Sequence, residues 1–212
     1  MAGVLLWLDL WSKHWVFKTL APNEIRPFIK HTINLRRSLN DGAVFGSFTG
    51  QIGLFIGASV FALAFVLYLF ARTPKTYRVT QVALALILAG ALGNLYDRAF
   101  VKADVVSFPG STGHSITQIG IIVDETDEAI RLGDWPDGTN VQIIARSDAR
   151  IRHQGVVRDF IKFAPKFPAW MPWLRGRDMW PWIFNVADSA LVCGVSILLL
   201  SSWSGRKPPE TP

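Results

Sequence analysis

Little in this chain suits an ordinary soluble enzyme. It holds one cysteine, Cys193, so it forms no internal disulfide. Its four histidines, His14, His31, His114 and His153, are scattered. Neither His-Glu-x-x-His nor Gly-x-Ser-x-Gly occurs, which removes two common hydrolase signatures. Charge is sparse and leans basic, with 22 Lys and Arg against 16 Asp and Glu. The basic residues are spread along the chain and form no recognisable nucleic-acid module, so nucleic acid is not an expected partner. Anionic membrane lipids are the expected partner for this charge. No internal repeat or low-complexity tract is evident.

What is present is apolar and aromatic. Half of the 212 residues are hydrophobic, nine are Trp and fourteen are Phe, and the mean hydropathy is +0.27. That balance predicts a membrane protein. Residues 52–71, 79–95 and 183–203 form runs long enough for a bilayer, which takes about 20 mostly apolar residues. Residues 2–20 give a shorter fourth run, broken by Asp9, Ser12, Lys13 and His14. With no basic stretch ahead of it, that run does not read as a cleavable signal. The expected fold is an α-helical integral membrane protein with four transmembrane helices, a small extracytoplasmic β-sheet and a β-rich insertion between the third and fourth spans.

The connections refine this expectation. Arg72, Lys75 and Arg78 crowd the turn between the second and third runs and mark it as cytoplasmic, as do Arg206 and Lys207 in the tail. Residues 22–50, 94–182 and the entrance to the last run would then share the outer side. Within 22–50, Thr32-Ile33-Asn34-Leu35 and Ala43-Val44-Phe45 read as short strands around the turn Asn40-Asp41-Gly42. Residues 116–123 and 140–145 are β-branched, and Gly133-Asp134-Trp135-Pro136-Asp137-Gly138 between them reads as a turn. The expected division is 1–98 (three spans, with the outer β segment 22–50), 99–154 (the insertion) and 155–212 (a catalytic segment and the last span). Trp170, Trp173, Trp180 and Trp182 place residues 165–182 at the headgroups. Cys193, inside the last apolar run, reads as a buried small packing residue.

The chemistry centres on Phe184-Asn185-Val186-Ala187-Asp188-Ser189, at the mouth of the run 190–203. A carboxylate at membrane depth is expensive and calls for a partner, a wet cavity or a reaction. Asn185 suits a helix cap, whereas Asp188 sits a turn further in, where a cap does not account for it. Asp97 is most simply paired with its neighbour Arg98, and Asp159 by its local context is a solvated strand charge. Two carboxylates converging in a dry site have a recognised use: one takes a proton from attacking water while the other donates to the carbonyl oxygen.

The blocks Gly93-Asn94-Leu95-Tyr96-Asp97-Arg98, Val157-Arg158-Asp159-Phe160 and Phe184-Asn185-Val186-Ala187-Asp188-Ser189 together resemble the lipoprotein signal peptidase (signal peptidase II) family. Asp9-Leu10-Trp11-Ser12-Lys13 and Asn40-Asp41-Gly42-Ala43-Val44-Phe45 are similar to its two remaining blocks. The resemblance covers nearly all of the chain except 99–154. It implies an intramembrane aspartic endopeptidase of the bacterial cytoplasmic (inner) membrane. Such an enzyme removes signal peptides from lipidated prolipoproteins, cutting just before a diacylglyceryl-modified cysteine. By motif position it implies Asp159 and Asp188 as the catalytic pair, with Asn40, Asn94, Arg98 and Asn185 around them and Asp9 supporting the fold. It further implies no metal, no cofactor and inhibition by the cyclic peptide globomycin; a monomer is expected.

Three departures stand out: the short first span, the insertion, and Arg158 directly before Asp159. Strand alternation would aim the Arg158 side chain away from its neighbour's. The competing reading from another class is a small transporter or channel subunit that uses Asp97, Asp159 and Asp188 as a proton or cation path. A membrane scaffold with an outer β-domain and no chemistry is the third.

Overall fold

The computed structural model describes residues 1–42, 52–110 and 115–203. Helices form on the four apolar runs: α1 (Ala2–Thr19), α2 (Ile52–Arg72), α3 (Arg78–Phe100) and α4 (Val186–Trp203). Between them run β1 (Ile25–Ile29), β2 (Ile33–Asn40), β3 (Lys102–Pro109), β4 (Ser115–Glu125), β5 (Ala129–Asp134), β6 (Thr139–Ala145), β7 (Arg150–Gly155), β8 (Val157–Phe163) and β9 (Ile183–Phe184). One sheet has the order β1-β2-β8-β9 and the other β6-β5-β4-β3-β7.

The expected architecture of four helical membrane spans with a small sheet is therefore corrected. The described residues contain nine strands in two sheets, and two of their helices, α3 and α4, are long and apolar enough to cross a membrane. The reason lies in composition and length. The 18 residues of α1 carry Asp9, Lys13, His14 and Lys18, and the described apolar stretch Val60–Arg72 of α2 is shorter than a bilayer requires. The expected strand Ala43-Val44-Phe45 and the basic tail residues Arg206 and Lys207 lie outside the described residues. A hairpin joins β1 to β2 through His31, which takes the left-handed conformation at φ 63°.

The chain forms two compact units. The first comprises Met1–Arg37, Gly50–Leu95 and Asp159–Pro212. Its buried apolar residues include Val16 and Phe17 of α1, Leu20 just after it, Leu84 and Leu88 of α3, Phe160 of β8 and Ala187 and Ala190 of α4. α3 and α4 meet through glycines. A Cβ on Gly194 would stand 2.7 Å from the Ala83 carbonyl oxygen, and one on Gly90 would overlap the carbonyl of Ala187. Small residues at such a crossing let the backbones approach, which supplies the packing that lipid cannot drive. Gly93 faces a carboxylate: a Cβ there would lie 2.5 Å from Asp9 Oδ2 and 3.2 Å from Ala187 Cβ. Gly93→Ala is expected to destabilise by about 1–3 kcal/mol, the usual cost of overpacking. A thermal midpoint in detergent equal to that of the parent would contradict this contact.

Cys193, expected to be buried, is exposed on α4, as are Val192, Leu199 and Leu200. The outward face of α4 is mostly apolar, with Ser196 and Ser202 also exposed on it.

In the same unit, the segment after β8 is tied back by Lys162, whose Nζ donates to Asp178 Oδ2 at 2.6 Å and to the Pro181 carbonyl at 3.1 Å. The first of these bonds holds the Asp178 carboxyl below the usual carboxylate range. Because that pKa is depressed in the fold, the tether is complete above the unfolded value of about 3.9 and is lost as pH falls through the lower folded value. Limited proteolysis between residues 164 and 182 should accelerate only in that acid window, and Asp178→Asn should remove the pH dependence.

The second unit comprises Ser38–Thr49 and Tyr96–Arg158. It is built on the five-stranded antiparallel sheet, with Val106, Ile130, Leu132 and Ile144 in one buried cluster and Val101, Ala103, Val105 and Val156 in another. Alternation along β3 divides the two: Val106 faces one cluster, Ala103 and Val105 the other.

Candidate active site

The N-terminus of α4 organises the site in the first unit. Asn185 is its N-cap and Asp188 stands three residues on, at the third helical position. The Asp188 N–H donates to Asn185 Oδ1 at 2.9 Å, and the Asn185 N–H donates back to Asp188 Oδ2 at 3.1 Å. This is a reciprocal capping box, which satisfies two otherwise free amides. The expectation that a cap does not account for Asp188 is thus corrected. The next free amide, that of Ala187, donates to Asp9 Oδ1 from α1 at 2.9 Å. Anionic groups gather where the helix dipole is positive.

From this cap the network spreads through two amide side chains. Asn185 Nδ2 donates to Asp159 Oδ1 at 2.7 Å and to Asn94 Oδ1 at 3.1 Å. Asn94 Nδ2 in turn donates to Asp188 Oδ1 at 2.7 Å. Asp159, on β8, is 2% exposed and Asn185 is fully buried, so the bond between them forms away from bulk water. β8 pairs with β9, with Ile161 opposite Phe184, and this register sets Asp159 beside the residue that follows β9. On the far side, Lys13 of α1 donates to Asn94 Oδ1 at 3.2 Å and forms an ion pair with Asp9 Oδ2 at 2.7 Å. Asp9 is thereby matched by an ammonium four residues along the same helix. Among the described residues, no group of three or more His, Cys, Asp or Glu is placed to hold a metal ion.

A family model described as signal peptidase (SPase) II matches residues 1–204. The chain belongs to the signal peptidase II family. A lipoprotein signal peptidase from Anoxybacillus flavithermus is 33% identical over 207 residues, covering 98% of this chain and 85% of the relative. One from Halalkalibacterium halodurans is 36% identical over 108 residues, covering 51% and 69%. A bacterial membrane enzyme solved by the in meso method at 1.9 Å resolution shares the fold with a TM-score of 0.60 at 20% identity, covering 97% of this chain and 91% of that one. This chain is accordingly a peptidase, and its family is one of bacterial membrane enzymes. The match leaves the transporter and scaffold readings without support.

Of the residues that the signal peptidase II resemblance singles out, the structure joins Asn94, Asp159, Asn185 and Asp188 in one hydrogen-bonded set. Asn40 and Arg98 belong to the second unit. There Asn40, at the end of β2, accepts the Gly42 N–H at 2.8 Å. Gly42 takes φ 78°, and a Cβ on it would stand 2.8 Å from Arg98 Nη2, so glycine is required by both conformation and space. The local pairing expected for Asp97 is corrected: its partner is Arg158, not Arg98. Arg158 Nη2 donates to Asp97 Oδ1 at 2.7 Å and the Arg158 backbone N–H donates to Oδ2 at 2.9 Å. The Arg158 side chain is thereby committed to Asp97, in keeping with the alternation expected of a strand. Lys13 went unnoticed in the sequence as part of the site; its signal is the spacing Asp9-x-x-x-Lys13, which puts an acid and a base on one helix face.

Proposed function

We propose that this peptidase removes the signal peptides of diacylglyceryl-modified bacterial prolipoproteins, cutting before the lipidated cysteine, with Asp159 and Asp188 as its catalytic pair. The observation that carries the reading is the Asn185 side chain. Its amide donates to Asp159 while its carbonyl caps the helix that carries Asp188, so one residue fixes both carboxyl groups. Asp9 is matched by Lys13, whereas Asp159 and Asp188 are linked to each other through Asn185.

In the proposed reaction, the ionised member of the pair takes a proton from water as its oxygen bonds to the scissile carbonyl carbon. The protonated member donates to the carbonyl oxygen, giving a neutral tetrahedral diol. Collapse of that diol breaks the C–N bond as one hydroxyl returns its proton to the carboxylate that had donated, while the proton gained from water passes to the departing nitrogen, which restores the pair. No cofactor enters the balance. Asn94 and Asn185 hold the two carboxyl groups throughout.

The proposed setting is the bacterial cytoplasmic membrane, crossed more than once, with the site near the outer face. The exposed Trp7, Trp11 and Trp15 of α1, stacked at 5.9 and 6.3 Å, and exposed Trp170, Trp173, Trp180 and Trp182 supply the amphipathic rings that favour lipid headgroups. The deciding experiment is a gel-shift cleavage assay on a diacylglyceryl-modified precursor, with and without globomycin. Globomycin-sensitive release of the signal peptide is expected. Cleavage of the unlipidated precursor at the same rate would overturn the substrate assignment.

A further inference from the structure

Lys13 is fully buried on α1, with its Nζ 2.7 Å from Asp9 Oδ2 and 3.2 Å from Asn94 Oδ1. An ammonium has donors only, so the atom of Asn94 that faces it must be the side-chain oxygen. Asn185 Nδ2 meets that same oxygen at 3.1 Å. With its carbonyl held from two sides, the Asn94 amide has its NH2 turned towards Asp188 Oδ1, at 2.7 Å. A flipped amide would set NH2 against an ammonium and a second NH2, and a carbonyl against a carboxyl oxygen. Asn185 offers no alternative sense, because its own oxygen is taken by the Asp188 N–H.

We infer that Lys13 is a positioning residue: it fixes the sense of the Asn94 amide and so keeps a hydrogen-bond donor on Asp188. The inference rests on the catalytic reading of Asp188. The competing role, a counter-ion that merely neutralises buried Asp9, would leave Asn94 out of account.

The two roles separate in a mutant cycle. Lys13→Met alone strands a buried carboxylate and endangers the fold. Asp9→Asn/Lys13→Met removes both charges together and keeps a side-chain oxygen for the Ala187 N–H. Single-turnover cleavage of the diacylglyceryl-modified precursor is measured for this pair of substitutions in the parent and in an Asn94→Ala background. If Lys13 acts through Asn94, the rate falls about tenfold in the parent with KM within about twofold, and falls less than about twofold further in Asn94→Ala. Lys13→Arg, which keeps the charge for Asp9 on a wider planar head, provides the second reading. It should slow cleavage in the parent and add nothing in Asn94→Ala. An unchanged rate in the parent, or equal losses in both backgrounds, overturns the inference. Full activity of Asp188→Asn would instead overturn the catalytic reading beneath it, so the two failures are distinguishable.

Discussion

Asp159→Asn and Asp188→Asn are each expected to lower the rate of precursor cleavage by at least ~10²–10⁴-fold, the range that positioned acid–base groups contribute. The substitutions conserve shape, and the fold has a reason to tolerate them. In Asp188→Asn the side-chain oxygen still accepts one of the two bonds now made by the Asn185 N–H and Asn94 Nδ2. The loss is then on the order of one hydrogen bond, about 0.5–1.5 kcal/mol. In Asp159→Asn the oxygen that meets Asn185 Nδ2 at 2.7 Å is likewise retained. Groups that act as a unit are strongly non-additive, so the double variant should be scarcely slower than either single one. The measurement is cleavage of the lipidated precursor by protein purified in detergent, with thermal midpoints showing that each variant is folded. Full activity in either variant would remove that aspartate from the catalytic pair.

How far the sequence shows this site depends on the distance over which each residue finds its partner. The helices are legible because apolar runs are local: the run 52–71 becomes α2 and the run 79–95 becomes most of α3. β4 and β6 are legible for the same reason, being rich in β-branched residues, whereas β7 reads Arg-Ile-Arg-His-Gln-Gly and carries no apolar signal of its own. β1 contains Pro27, a residue that argues for a loop until the strand is seen to lie at the edge of its sheet. Asp188 had a local signature as well, since Asn185-x-x-Asp188 has the spacing of a capping box. Asp97 had none. Its partner is 61 residues away across the insertion, and the adjacent Arg98 offered a plausible but wrong pairing. Asp159 looked like a solvated charge because its burial comes from residues outside its own strand; the order of the family blocks, not its neighbours, pointed to it.

That long-range pairing carries the second large expectation. Asp97 is fully buried and Arg158 is 9% exposed, and the carboxylate accepts from both the guanidinium and the Arg158 backbone amide. Asp97→Leu would leave a buried cation and a buried N–H without their acceptor. Removing one member of such a pair costs about 3–5 kcal/mol, which in a chain of this size lowers a thermal midpoint by roughly ten degrees. The pair itself need not stabilise, because two charges taken out of water repay their desolvation only partly. Asp97→Leu/Arg158→Met, which replaces both charges by apolar groups, is therefore expected to regain most of the loss, with the backbone amide of residue 158 left as a cost of about 1–3 kcal/mol. Midpoints of the two single variants and the double variant decide the matter. If the double variant is as unstable as Asp97→Leu, the bidentate geometry itself holds the start of β8 in place; if it recovers, the ion pair serves to make a buried charge tolerable.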